Sequence, residues 1–200
     1  MPAWARRVVF GLGLVGLGSP AAEAHPHVWI DYQLTLEFEH GKVAALGEEW
    51  AIDESETALI LRDIVGDQPV KALTQDAVAK LEQNAFANLE NYDYFTHVYV
   101  AGAKVGVRTV TDFTARLAGA KLVYDFTVAL ERPVDLGVGP ASFGIYDETY
   151  YVDVEPAPGK SPLLVGDGSA ACRATVAEDR EHAIYFGSVF PMTVRLACAK

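Results

Sequence analysis

The chain has 200 residues, 16 Lys and Arg against 27 Asp and Glu, a formal net charge of −11, a 50% hydrophobic content and 2 Cys. A surface this acidic excludes a protein that holds nucleic acid or an anionic membrane face by charge. The length suits one ordinary domain with enough chain for a real core.

The first 24 residues read as a secretory signal peptide. Arg6 and Arg7 make a charged start, Val8 to Leu17 is apolar and Gly-rich, and Ala22-Glu23-Ala24 has the small-x-small form of a cleavage site. The apolar run is about ten residues, whereas a membrane span needs roughly 20. Cleavage after Ala24 would remove Arg6, Arg7 and Glu23, taking the net charge from −11 to −12 over the remaining 176 residues. It would also make His25 the new N-terminus, with no membrane span left and a periplasmic location.

From Val28 the even positions are Val28, Ile30, Tyr32, Leu34, Leu36 and Phe38, and the odd positions are mostly polar. This period-2 alternation predicts a half-buried strand. His40-Gly41 fits a tight hairpin turn, and 43–52 returns as the partner. A helical insertion follows over about 54–91. Asp53 or Ser55 caps a first helix over 56–65, Gly66 to Pro69 breaks it, and Thr74 caps a second. Val78, Leu81, Ala85 and Leu89 give that second helix one apolar stripe. Strands are predicted over 96–100, 105–117, 122–130, 142–146 and 150–155, with loops at 133–140 and 156–162. Two Cys-bearing strands close the chain. The whole reads as α+β, mainly β: an antiparallel β-sandwich-like domain with an inserted αα-hairpin.

Cys172 and Cys198 share the apolar parity of their strands, with Ala174 and Val176 in one and Val194 and Leu196 in the other. In an exported chain that pair predicts a disulfide.

The candidate chemistry lies at His25-Pro26-His27. A free N-terminal His offers its α-amine and Nδ1 to one ion, and a second imidazole makes a nitrogen-rich site suited to Zn, Ni, Co or Cu. Pro26 has no N–H, so the square-planar chelate through backbone amides cannot form. On a strand His25 and His27 share a face about 7 Å apart, while Asp31 lies about 13 Å from His27. Further ligands must come from elsewhere, and His97, Asp147, Glu148, Asp153 and His182 are the candidates for a third; His40 sits on the hairpin tip, solvated. Gly-x-Ser-x-Gly, His-Glu-x-x-His and phosphate-binding Gly loops are absent, so the chain reads as no enzyme.

The stretches "AHPHVWID" (24–31), "EEWAIDE" (48–54), "NLENYDYFT" (88–96), "YDETYYVDV" (146–154) and "SVFPMTVRLAC" (188–198) carry a resemblance. The chain resembles a family of bacterial exported proteins of unknown function, described as periplasmic components of an uncharacterised ABC-type transport system. Members are linked to nickel/cobalt-type permeases and to zinc uptake. The resemblance implies a periplasmic metal-binding accessory of an inner-membrane transition-metal permease. Relatives carry an EF-hand-like loop between the two helices; here Asp63, Asp67 and Asp76 lack the spacing a calcium loop needs. The competing expectation is a non-catalytic β-sandwich that binds another protein and no metal.

Overall fold

The computed structural model describes residues 26–199. The signal-peptide assignment and His25 lie outside the described residues. Eleven strands are described. β1 (Val28–Glu39) and β2 (Lys42–Ile52) form the predicted hairpin. His40 and Gly41 turn it, both with positive φ (50° and 76°), as a two-residue hairpin turn requires. α1 (Glu54–Val65) and α2 (Gln75–Asn84) follow, then a 3-10 segment, Phe86–Phe95. β3 (Thr96–Val100), β4 (Ala103–Val105), β5 (Val107–Ala118), β6 (Lys121–Val134) and β7 (Ala141–Ile145) come next. β8 (Val152–Pro156), β9 (Leu163–Gly166), β10 (Cys172–Glu178) and β11 (Met192–Cys198) complete the chain.

The fold is mostly β, in two sheets. One has the order β5-β6-β2-β1-β8, with β9 also paired to β1; the other has the order β10-β11-β7-β3-β4. The inward residues of both sheets belong to one hydrophobic cluster, among them Leu34, Leu46, Trp50, Phe126, Val98, Phe143 and Val194. Period-2 alternation therefore placed β1 correctly, with Ile30 to Phe38 buried at even positions.

Three features differ from the sequence-based expectation. β8 and β9 run parallel to β1, so the first sheet is mixed rather than antiparallel. Parallel pairing follows from long connections: β1 and β8 are separated by most of the chain, so no hairpin constrains their direction. β9 is also a strand that the sequence did not announce, because its four residues, Leu163 to Gly166, are too few for a readable alternation. And α2 stops at Asn84 instead of continuing through Leu89. Phe86 turns into the core there, with its ring 4.3 Å from Phe113 and 4.7 Å from Phe126. The chain tightens into 3-10 turns to reach it, ending with Asp93, Tyr94 and Phe95 at positive φ.

The helices dock on the first sheet at specific points. The Thr57 hydroxyl donates to the Ile52 carbonyl (3.2 Å) and accepts the Leu122 N–H (2.9 Å). Asp53 caps α1, accepting the N–H groups of Ser55 (2.8 Å) and Glu56 (3.1 Å) on Oδ1. Its Oδ2 accepts the Trp29 N–H at 3.1 Å, so one carboxylate fixes both the helix start and the start of β1. Asp53→Ala is expected to lower the unfolding free energy by about 1–2 kcal/mol, with Asp53→Asn losing less. Urea denaturation of the two variants checks this; equal losses would mean that side-chain hydrogen bonding is not what the cap supplies.

Candidate functional site

The loop between β7 and β8, Tyr146–Tyr151, is built by one residue. Asp147 is buried, and its carboxylate accepts the backbone N–H groups of Thr149 (2.9 Å), Tyr151 (3.1 Å) and Val152 (3.1 Å). The Thr149 hydroxyl donates to it as well. This is the short-range Asp-to-backbone bonding that shapes tight loops. Asp147 is thus consumed in holding the loop, while Glu148 beside it keeps a side chain 70% exposed.

Histidines from three elements border this loop. His27, at the start of β1, donates its backbone N–H to the Tyr151 carbonyl (2.9 Å), and its ring centroid is 4.8 Å from that of Tyr151. In the parallel β1–β8 register Trp29 stands opposite Asp153. Neighbours in register share a face, so Trp29 and Asp153 lie on one outward face, with exposed His27 just ahead of the strand. Burial pushes the Asp153 carboxyl up, and a hydrogen bond from Tyr150 pulls it back down. Asp31, further along, is paired with Lys121 at 2.7 Å.

His97, on β3, is 95% buried, at 5% exposure. Its ring stacks on Tyr146 at 3.8 Å with 3° between the planes. Nε2 lies 2.9 Å from the Tyr146 carbonyl oxygen. A carbonyl only accepts, so Nε2 carries the proton and Nδ1 bears the lone pair. Nδ1 has no hydrogen-bond partner, and Glu148 Oε1 stands 3.8 Å away. Burial drives the imidazolium form down to about 4, outweighing the Tyr146 carbonyl bond, which acts in the opposite direction. The ring is therefore neutral at neutral pH, and its contact with Glu148 is not an ion pair.

His182 follows β10. Its Nδ1 lies 2.8 Å from Oδ2 of Asp179, a carboxylate buried to 3% exposure. The ring stacks on Tyr99 at 3.7 Å. Tyr99 lies beside Tyr146, and burial first, then the neighbouring Tyr99 phenol, raises the Tyr146 phenol. The result is a row of rings, His97, Tyr146, Tyr99 and His182, across the outer side of the second sheet. Two open clefts flank it. One, of about 340 Å³, is lined by Tyr92, Asp93, His97, Lys104 and Glu148. The other, of about 370 Å³, is lined by Tyr146, Glu148, His182, Ile184 and Tyr185. Glu148 borders both.

Five of the sequence candidates, His97, Asp147, Glu148, Asp153 and His182, thus sit on or beside one loop, and His27 joins them. They do not form one ligand cluster: among the described residues no three His, Cys, Asp or Glu side chains stand close enough to hold an ion. What they form are pairs, His97 with Glu148 and His182 with Asp179. Sequence reasoning missed Asp179 and the Tyr99–Tyr146 pairing. The Asp-x-x-His spacing of 179 and 182 was a local signal for the former; nothing in the sequence marked the latter. His40 is exposed on the hairpin tip, as expected.

The family model described as "Protein of unknown function (DUF1007)" matches residues 10–193. An uncharacterised protein of Haemophilus influenzae is 30% identical over 132 residues, covering 64% of this chain and 61% of that protein. An uncharacterised 15.5 kDa protein encoded in the trpE 3′ region of Spirochaeta aurantia is 34% identical over 99 residues, covering 48% of this chain and 70% of that protein. The chain thus spans about three fifths of the first relative's length. No solved structure matches.

Proposed function

This chain belongs to the DUF1007 family of proteins of unknown function, and we propose that it is an exported metal-binding accessory of a transition-metal permease. The observation that carries this reading is the docking of His27, just ahead of β1, against the Tyr146–Tyr151 loop, with Asp153 close by on β8 opposite Trp29. Cleavage after Ala24 adds the His25 imidazole and a free α-amine to that end of the strand. Two imidazoles, an amine and the Asp153 carboxylate make a borderline-soft, nitrogen-rich donor set for Zn, Ni, Co or Cu. The chain would bind and orient the ion; the sequence has no phosphate-cradling Gly loop for ATP, so a partner would drive transport.

A second reading, an interaction module without metal, draws on exposed aromatics around the same loop: Trp29 (50% exposed), Tyr151 (49%) and Phe186 (102%). Where such rings form one contiguous exposed patch, they mark a contact surface. The experiment that separates the readings is titration of Zn²⁺ and Cu²⁺ into three forms: the chain beginning at His25, the same chain with one extra N-terminal residue, and His27→Ala. The form beginning at His25 is expected to bind one ion at this end, Cu²⁺ more tightly than Zn²⁺, and less tightly on acidification, because the ligands must be deprotonated. The extended form loses the amine chelate and is expected to bind at least about tenfold more weakly. Equal binding at this end by all three forms, or none there tighter than about millimolar, would leave the interaction module as the function.

A further inference from the structure

We propose that the cleft between β3 and the Tyr146–Tyr151 loop seats a divalent transition-metal ion of its own, held by His97 Nδ1 and the Glu148 carboxylate. The site is independent of the N-terminal one and stands on a different observation. Nδ1 of His97 is buried, carries a lone pair, and has no hydrogen-bond partner. An atom near it, Glu148 Oε1 at 3.8 Å, is an acceptor too. Two acceptors this close gain when a cation or a donor lies between them. A buried nitrogen left unpartnered costs about 1–3 kcal/mol, so the fold sustains this arrangement at a loss.

The gap has the size of an ion. Zinc sits about 2.0–2.1 Å from an imidazole nitrogen and about 2.0–2.2 Å from a carboxylate oxygen. Those two bonds together slightly exceed the 3.8 Å separation. The separation is therefore compatible with one ion bridging the two atoms at an open angle. The far side of the ring is also set as a metal ligand requires. Metal-ligating histidines donate their other N–H to a carbonyl or carboxylate, which fixes tautomer and ring orientation. His97 does this through Nε2 to Tyr146, and Tyr146 also stacks on the ring. The one lysine on the cleft wall does not fill the gap: Lys104 is bonded to Asp93 at 3.0 Å. The cleft stays open past Glu148, so water can complete the coordination. Two protein ligands with the rest water suit an ion that is taken up and released.

The test follows the ring nitrogens of His97 by NMR in the full chain beginning at His25, during Zn²⁺ addition. The Nδ1 resonance is expected to move while the Nε2–H bonded to Tyr146 persists. Glu148→Gln, an exposed and nearly isosteric change, is expected to weaken this zinc equivalent about tenfold or more without altering the melting temperature. The form with one extra N-terminal residue is expected to keep this site while losing the other, so the two proposals fail separately. His97 signals unmoved at saturating zinc, or identical binding by Glu148→Gln, would overturn the inference. So would methylammonium moving Nδ1 where zinc does not, since the gap would then be an organic-ammonium site.

Discussion

Glu48→Gln is expected to remove most of the pH dependence of stability between about pH 4.5 and 8. Glu48 lies 3% exposed between the sheets. Its Oε2 accepts the Trp50 indole N–H at 2.9 Å, and its Oε1 lies 3.0 Å from the Thr96 hydroxyl oxygen. Burial pushes its carboxyl from 4.5 up to about 8, against the Thr96 and Trp50 bonds, which pull it down. The protonated form is fully satisfied: its O–H can donate to Thr96 Oγ1, whose own proton reaches the Tyr94 carbonyl at 3.2 Å. The folded chain therefore holds a proton that the unfolded chain releases above pH 4.5. Stability from this group is complete below pH 4.5 and is lost as pH rises to about 8, a swing on the order of 4 kcal/mol. Gln keeps both hydrogen bonds and never ionises. The variant should match the parent near pH 4.5 and exceed it by about 4 kcal/mol at pH 8.5. Glu48→Ala should instead lose about 3 kcal/mol at pH 4.5, through a cavity and an unpaired Trp50 N–H. Urea unfolding of the three proteins at fixed salt measures this. Parallel pH slopes for parent and Glu48→Gln would show that Glu48 is ionised in the fold.

What the sequence made legible was whatever is written in local spacing. β1 announced itself by alternation, β2 by the His40-Gly41 turn that returns it, α1 by a cap at Asp53 or Ser55, and the disulfide by the parity of its two cysteines. Each rests on neighbours within a few residues. The parallel docking of β8 and β9 on β1 does not, because no local pattern encodes which distant strand a segment will join. The same distinction holds at the site. Histidine and carboxylate candidates could be named, but not sorted. Asp147 and Glu148 are adjacent in sequence and similar in chemistry, yet three backbone N–H groups consume one and leave the other exposed. His97, a candidate ligand from its residue type, is packed in the fold. That its Nδ1 is left bare follows only from Tyr146, 49 residues away, claiming Nε2. The quoted motifs also acquire a physical meaning in the fold. Asp53 of "EEWAIDE" holds Trp29 of "AHPHVWID". Glu48 of the former holds Thr96 of "NLENYDYFT". Tyr146 of "YDETYYVDV" donates its N–H to Phe95. These segments are one another's contacts rather than separate signals.

Replacing both cysteines by alanine is expected to cost about 3–4 kcal/mol, and the loss should be uneven across the molecule. Cys172 and Cys198 stand directly opposite on β10 and β11, Cα atoms 3.9 Å apart and bonded, 26 residues apart in sequence. Loop-closure entropy for that length gives the figure. At this chain size it corresponds to a fall of about 10 °C in melting temperature. β10 ends its sheet, with β11 as its ladder partner, so the disulfide clamps an edge. The clamped segment carries Asp179, His182 and the turn joined by the Ile184–Val189 bridge. Asp179 donates its N–H to the Pro191 carbonyl (2.8 Å), and its carboxylate bonds His182 and the Glu181 N–H, both within the clamped segment. Without the clamp this segment should open locally at lower free energy than the core. Hydrogen exchange is the measurement. Amides of 173–191 should lose protection in the double variant, while those of β1, β2 and β6 change only by the global amount. His97, on β3 and outside the clamped loop, should keep its ring stacked on Tyr146 and its Nδ1 bare. A uniform loss across both sheets would mean that the two sheets unfold as one unit and that the disulfide holds the whole core rather than the His182 edge.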